Sequence, residues 1–189
     1  TRYHRLFGNE TLFLTGTDEH GQKIQEAALK RGLDPQVHCD EMAERYKVAW
    51  RELNISYDIF FRTSADFHKQ AVQKCLQDLF DRGEIYAAEY EGWYSVSDEI
   101  FYTEKDLVNG KSPTGNDVTK LLEKNYFFKM SKYQQPLIDY IHANPEFIQP
   151  ESRKNEVLGF LRQPLNDLCI SRPKTRLKWG IEIPFDRDY

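Results

Sequence analysis

The strongest restriction on the fold comes early, in "TLFLTGTDEHG" at 11–21, where a short apolar strand runs straight into Gly16, Thr17, Asp18, Glu19, His20 and Gly21. "QKIQEAALKRG" follows, with Ile24, Ala27 and Ala28 on one face of a helix that stops at Gly32. Strand, polar turn and helix in that order predict an α/β unit. In open α/β sheets ligands collect outside the carboxyl ends of the strands, so the turn at 16–21 is the first candidate site. Asp34 then caps a second helix with Pro35 at its first position, and Tyr46, Trp50 and Leu53 line its stripe. "NISYDIFFRT" returns as a second extended segment. Thr63 with Asp66 makes a capping-box pattern ahead of a helix that carries Phe67, Ala71, Cys75 and Leu79 and ends at Gly83. The predicted order is β, α, α, β, α.

From Glu84 the texture changes. "EIYAAEYEGWYSVSDEIFYTEKDL" is rich in Tyr, Trp, Phe and Val and is broken by Gly92 and the Asn109-Gly110 turn, which predicts antiparallel hairpins in a small β-rich insertion to about Phe128. Helical patterns return around Leu137, Ile138 and Ile141 and again around Val157, Leu158 and Leu161, and "DLCISR" and "KWGIEIP" read as a strand, a loop and a second extended piece. A chain of 189 residues can hold one substantial core, or a core with a small inserted module. Aromatics at 14 % and charged residues at 30 % suit a soluble α/β protein and argue against disorder. No apolar run approaches the roughly 20 residues that span a bilayer, and "TRYHRLFGNE" lacks the apolar centre of a signal peptide, which together point to the cytosol. Cys39, Cys75 and Cys169 stand far apart without CxxC spacing and read as reduced, packed thiols. The net charge of −4 confines any surface for nucleic-acid phosphates to a local patch or to sequence not present here.

Seven segments, in order, resemble the methionyl-tRNA synthetase family of class I: "RYHRLFGNETLFLTGTDEHGQKI", "NISYDIFFRT", "YEGWYSVSDEIFYTEKDL", "NYFFKMSKYQ", "NEVLGFL", "DLCISRP" and "KWGIEIP". The resemblance implies a partial Rossmann-type nucleotide-binding fold of class α/β with an inserted β-rich connective peptide. It divides the chain into 1–83, the remainder of the first Rossmann half; 84–128, the connective peptide; and 129–189, a helical return and the start of the second half. The family's HIGH tetrapeptide is absent, so the chain is expected to begin after it, and to stop before the segment that supplies aromatic residues of the methionine pocket. "KMSK" at 129–132 imitates the family's lysine loop but precedes "KWG", whereas that loop lies well after it. The stretch matches "YFFKLSKY" at the exit of the connective peptide, and Ser131 with Gln134 suggests a capping box, although Pro136 could move the cap a few residues later.

Many relatives carry four zinc ligands in the connective peptide, at positions occupied here by Ser95, Asp98, Ser112 and Gly115. One aspartate cannot hold a structural zinc, so a metal-free module is expected, packed on Trp93, Tyr94, Phe101 and Tyr102. The resemblance further implies activation of methionine with ATP and Mg, then transfer to tRNA(Met). The attacking carboxylate is already a nucleophile, so donors and orienters matter more than a general base. Arg172 is the candidate catalytic residue, with a structural ion pair as its other reading. Asp18, His20, Gly180 and Glu182 are the candidate ATP-binding residues, Asp18 equally readable as a cap on the helix near Gly21. His4, His38, His68 and His142 lack metal spacing and read as surface or capping residues. Two other readings stay open: a non-catalytic module binding nucleotide or the tRNA acceptor end, and a metal-dependent hydrolase using Asp18, Glu19, His20, His38 and Asp40. The truncated sheet also raises the prospect of self-association.

Overall fold

The computed structural model describes residues 1–98 and 100–189. A short helix α1 (Arg2–Leu6) precedes β1 (Leu14–Thr17), α2 (Gln22–Lys30), α3 (Pro35–Glu52), β2 (Ile59–Arg62) and α4 (Asp66–Asp81). β1 and β2 pair in parallel, with Gly16 opposite Phe61 and Thr17 opposite Arg62, so both strands end on the same side. Gly16 is sterically required there, because a Cβ would sit 1.8 Å from the Phe61 carbonyl oxygen. Asp34 caps α3 by accepting from the Gln36 N–H at 2.8 Å, with Pro35 in the first turn. The helix α1 gave no sequence signal.

Two helix faces differ from expectation. On α3 the buried residues are His38, Cys39 and Ala43, while Tyr46 and Leu53 are 50 % and 62 % exposed. On α4 Phe67 is 61 % exposed, and contact with the core comes from Leu76, Leu79 and Phe80. A four-residue repeat identifies a stripe, but the neighbouring elements decide which stripe is covered. The capping box at Thr63 does not form either. Ala65 is the N-cap of α4, and Thr63 Oγ accepts from the Glu19 N–H at 2.8 Å.

After α4 the chain enters the insertion. The long strand β3 (Ile85–Ser95) pairs antiparallel with β4 (Ile100–Tyr102) and with β5 (Thr119–Phe128), and the two-residue strand β6 (Leu168–Cys169) adds to β5. The sheet order is β4-β3-β5-β6, so its last strand comes from the return segment. Ile85, Tyr126 and Ile183 form a buried cluster, packed by Leu76, Leu79, Phe80, Phe128, Ile170 and Phe185. Phe80 and Phe185 stack at 4.1 Å between centroids, and the Tyr126 hydroxyl donates to Asp186 at 2.8 Å, which fastens the end of the chain onto the sheet.

The return segment contains α5 (Gln134–Ala143) and α6 (Glu151–Phe160). "KMSK" enters a 3-10 turn, Met130–Tyr133, and the expected capping box is absent because both of its residues are used elsewhere. Ser131 donates its hydroxyl and its backbone N–H to Asp167, at 2.5 and 3.1 Å. The Gln134 carboxamide donates to the Leu161 and Gln163 carbonyls and accepts from the Leu165 N–H. Pro136 falls in the first turn of α5, where a missing N–H costs little. Lys129 and Lys132 bind the entry to the insertion: Lys129 Nζ donates to the Gly83 carbonyl at 2.7 Å, and Lys132 pairs with Glu84.

Candidate functional site

The turn after β1 is built around Glu19, which is only 2 % exposed. Its Oε1 accepts from Thr17 Oγ1 at 2.5 Å and from Arg62 Nε at 2.7 Å, and its Oε2 accepts from Ser64 Oγ. Arg62, on the neighbouring strand, also lies 2.7 Å from Asp40 of α3. Burial pushes the Glu19 carboxyl up, but the bonds from Arg62, Ser64 and Thr17 outweigh burial and leave it below its ordinary value. Glu19 is therefore an ionised strut inside the turn, with Asp18 exposed beside it and His20 half-buried.

Asp18 is exposed and accepts from Thr63 Oγ1 at a long 3.4 Å. It does not cap α2. Gly21 is the N-cap, at φ 105°, a backbone conformation that favours glycine. His20 packs against Trp179, with ring centroids 5.4 Å apart, and its Nε2 is buried without a protein partner among the described residues. Burial, followed by the charge of Lys69, lowers its pKa, which keeps the imidazole neutral at pH 7.

The "KWG" segment comes back against this turn by backbone and side-chain bonds. Gly21 N–H donates to the Trp179 carbonyl at 3.2 Å, and the Trp179 indole N–H donates to the Glu19 carbonyl. On α2, Gln25 Oε1 accepts from the N–H groups of Lys178 and Trp179 at 2.9 and 3.1 Å. Residues 177–183 themselves are irregular rather than a ladder strand. Between the turn and this segment lies a cleft of about 320 Å³, bordered by Gly21, Gln22, Arg172, Gly180 and Glu182, with Tyr94 of the insertion on another side. A Cβ at Gly180 would meet nothing within 4 Å, so nothing in the protein itself demands glycine there.

The other expected residues are placed as follows. Glu182 pairs with Lys174 at 2.8 Å, which lowers its pKa, and its carbonyl accepts from Gln73. Arg172 borders the cleft and a second one of about 430 Å³ beside Phe101 and Asp106. Its guanidinium lies 5.2 Å from both the Tyr94 and Phe101 ring centres and donates to the Ser171 carbonyl at 2.6 Å. Arg176, passed over in the sequence, stacks 3.8 Å above Tyr94 and pairs with Glu123 at 2.7 Å, joining the insertion to the segment that borders the cleft. His20 is thus brought against Trp179 and Arg172 borders the cleft with Gly180 and Glu182, whereas Asp18 bonds to Thr63 and neither Asp18 nor His20 lines the cleft.

At the tip of the insertion, Asp98 occupies the centre of a polar knot. Its Oδ1 accepts from Thr114 Oγ1 and Asn116 Nδ2, both at 2.7 Å, its Oδ2 accepts from Tyr102 Oη at 3.2 Å, and its N–H donates to Ser95 Oγ. Bonds from Ser112 first, then Thr114 and Asn116, hold the carboxyl well below the usual carboxylate range. Gly115 has φ 84°, a turn conformation rather than a ligand position. Hydroxyls and one committed carboxylate do not fit a structural zinc site, which is built from thiolates and imidazoles. The hydrolase residues are committed to arginines: His38 is buried, contrary to its expected surface place, with Nδ1 2.9 Å from Arg31, and Asp40 and Glu19 share Arg62. Among the described residues no group of three metal-capable side chains occurs, and no helix is long and apolar enough to cross a membrane.

The family model for class I tRNA synthetases (M) matches residues 1–120 and 104–189. The methionine–tRNA ligase of Clostridium tetani is 52 % identical over 190 residues, covering 100 % of this chain and 29 % of the relative. That of Listeria monocytogenes serovar 1/2a is 48 % identical, covering 97 % and 29 %. Among solved structures, Mycobacterium tuberculosis methionyl-tRNA synthetase in complex with methionyl-adenylate aligns with a TM-score of 0.89 at 40 % identity, over 99 % of this chain and 37 % of that one. The ligand-free form of the same enzyme aligns at 0.74 and 38 %, over 99 % and 36 %. The chain spans under a third of the length of the curated relatives it matches. Matched across its whole length by the family model, with the fold of these neighbours, it belongs to the class I tRNA synthetases, in their methionyl branch.

Proposed function

We propose that this chain works as part of a methionine–tRNA ligase, which joins methionine to ATP as methionyl-adenylate, with release of pyrophosphate, and passes the methionyl group to tRNA(Met). The observation that carries this reading is the direct bonding of Glu19 and Gly21, in the turn after β1, to Trp179, beside a cleft that Gly21 and Gly180 both border. In this reading ATP arrives with Mg. The adenosine lies against Gly180, where space is open, Glu182 accepts from ribose or adenine donors, and Asp18 and the neutral His20 act from the adjoining turn, just outside the lining of the cleft. Arg172 supplies fixed positive charge where the methionine carboxylate attacks the α-phosphorus. The reaction needs no base from the protein, because a carboxylate attacks and pyrophosphate departs.

Methionine-dependent ATP–pyrophosphate exchange tests the reading. The full-length ligase containing this segment is expected to catalyse it, and Arg172→Ala is expected to reduce the rate at least about a hundredfold, the scale on which removing a transition-state donor acts. Exchange that is independent of methionine, or unaffected by Arg172→Ala, would overturn it. The isolated chain is expected to be inactive and at most to bind nucleotide or the acceptor end of tRNA. Exposed Leu6, Phe7, Leu12 and Leu14 support self-association of the isolated chain, which sedimentation would detect as a mass above 22.4 kDa. A cytoplasmic location completes this reading.

A further inference from the structure

We propose that Gln25 is a positioning residue for the nucleotide cleft: it holds segment 176–179 in register with the turn at 18–21, and so sets affinity for the adenine nucleotide rather than the rate of the chemical step. This rests on the ligase reading above. Gln25 does not border the cleft. It is half-buried on α2, one turn beyond Gly21, and its backbone N–H is already spent on the Gly21 carbonyl. Its carboxamide engages three consecutive parts of a segment more than 150 residues away: Oε1 accepts from Lys178 N–H at 2.9 Å and Trp179 N–H at 3.1 Å, and Nε2 reaches the Arg176 carbonyl at 3.5 Å. The N–H groups of Arg176 and Leu177 turn back to the Pro173 carbonyl, so the carboxamide takes over where that local turn ends.

Trp179 is consequently gripped from two directions, its N–H by Gln25 and its carbonyl by Gly21. Gly180 follows immediately, and the cleft begins there. Losing the acceptor frees two N–H groups to turn toward water and releases the segment on that side, while the turn, Glu19 and Arg172 keep their own partners. The segment must then be ordered by the nucleotide itself, and the free energy of ordering appears as weaker binding.

Three substitutions in the full-length ligase separate positioning from packing. Gln25→Glu keeps an acceptor oxygen for both N–H groups, loses the long donor bond and adds a negative charge. Gln25→Met has nearly the same shape and no comparable acceptor, and Gln25→Ala removes the side chain. Methionine-dependent exchange is measured with ATP and methionine titrated separately, and equilibrium binding of ATP by calorimetry reads the same ratio without turnover. Met and Ala are expected to raise KM and Kd for ATP about tenfold, the effect of two modest hydrogen bonds, with kcat within about twofold, while Glu stays within about threefold of the wild type. An unchanged ATP constant in Gln25→Met, equal behaviour of Met and Glu, or a fall confined to kcat overturns the proposal. Should the Ala variant fail to fold, the Met–Glu pair still decides. A wild type that binds ATP but lacks exchange refutes the ligase reading, and the Met–Glu ratio in the binding measurement continues to test Gln25.

Discussion

Glu19, at the end of β1, is nearly sealed from water and shares its oxygens with a guanidinium and two hydroxyls, whereas Asp98, at the tip of the insertion, stays within reach of water and gathers hydroxyls and a carboxamide. Both are ionised struts that tie separate parts of the chain together. They differ in what happens when a partner is lost. Around Glu19 a half-buried guanidinium remains with Asp40 as its one carboxylate among the described residues, whereas around Asp98 the donors left behind are neutral, and of these Thr114 is exposed and Asn116 half-buried while Ser112 is buried. Losing a partner at the site end therefore strands charge, and at the distal tip it strands neutral donors.

The largest expected effect comes from breaking the first arrangement. Glu19→Ala is expected to destabilise the fold by about 3 kcal/mol, read from the shift of a urea unfolding midpoint, and to loosen Trp179 enough to red-shift its fluorescence. Glu19→Gln, which keeps an acceptor for Arg62, should lose less. Next in size, Asp98→Ala should lower the unfolding midpoint less than Glu19→Ala does. Its sign with pH is definite: the folded carboxyl titrates below its ordinary 3.8, so its contribution is complete above that value and fades as the pH falls below it. The deficit of the variant relative to wild type should shrink on acidification from pH 4 downward. The smallest effect belongs to metal. Excess chelator should leave the unfolding midpoint unchanged, and elemental analysis should find no stoichiometric zinc; one zinc per chain would erase the contrast between the two struts.

Local signals in the sequence were legible where the structure answers them locally. The Asp34-Pro35 start of α3, the strand and glycine turn of β1, and the aromatic hairpins of the insertion all depend on neighbours in the chain. The misreadings share one cause. Ser131 and Thr63 fit capping-box spacing, but each hydroxyl is used by a distant partner, Asp167 and the Glu19 turn, which no local pattern can reveal. The stripes on α3 and α4 were misread in part for the same reason: Tyr46, Leu53 and Phe67 are exposed, although Leu79 does pack on the core. At the site, Asp18, His20 and Gly180 drew attention by chemistry and motif, while Gln25 and Arg176 look like ordinary surface residues until the chain folds back on them. A helix glutamine has no sequence signature for gripping a segment 150 positions away.

The paired clamps at the neck of the insertion carry a last implication. Lys129 donates through its backbone to the Glu84 carbonyl and through its ammonium to the Gly83 carbonyl, Lys132 reaches Glu84, and Ser131 holds Asp167. The ascending and descending strands are thus locked at the collar, well before the chain reaches the distal hairpin. None of those bonds involves the Asp98 lattice, so the distal tip is carried like a tool head on a shank fixed independently of it.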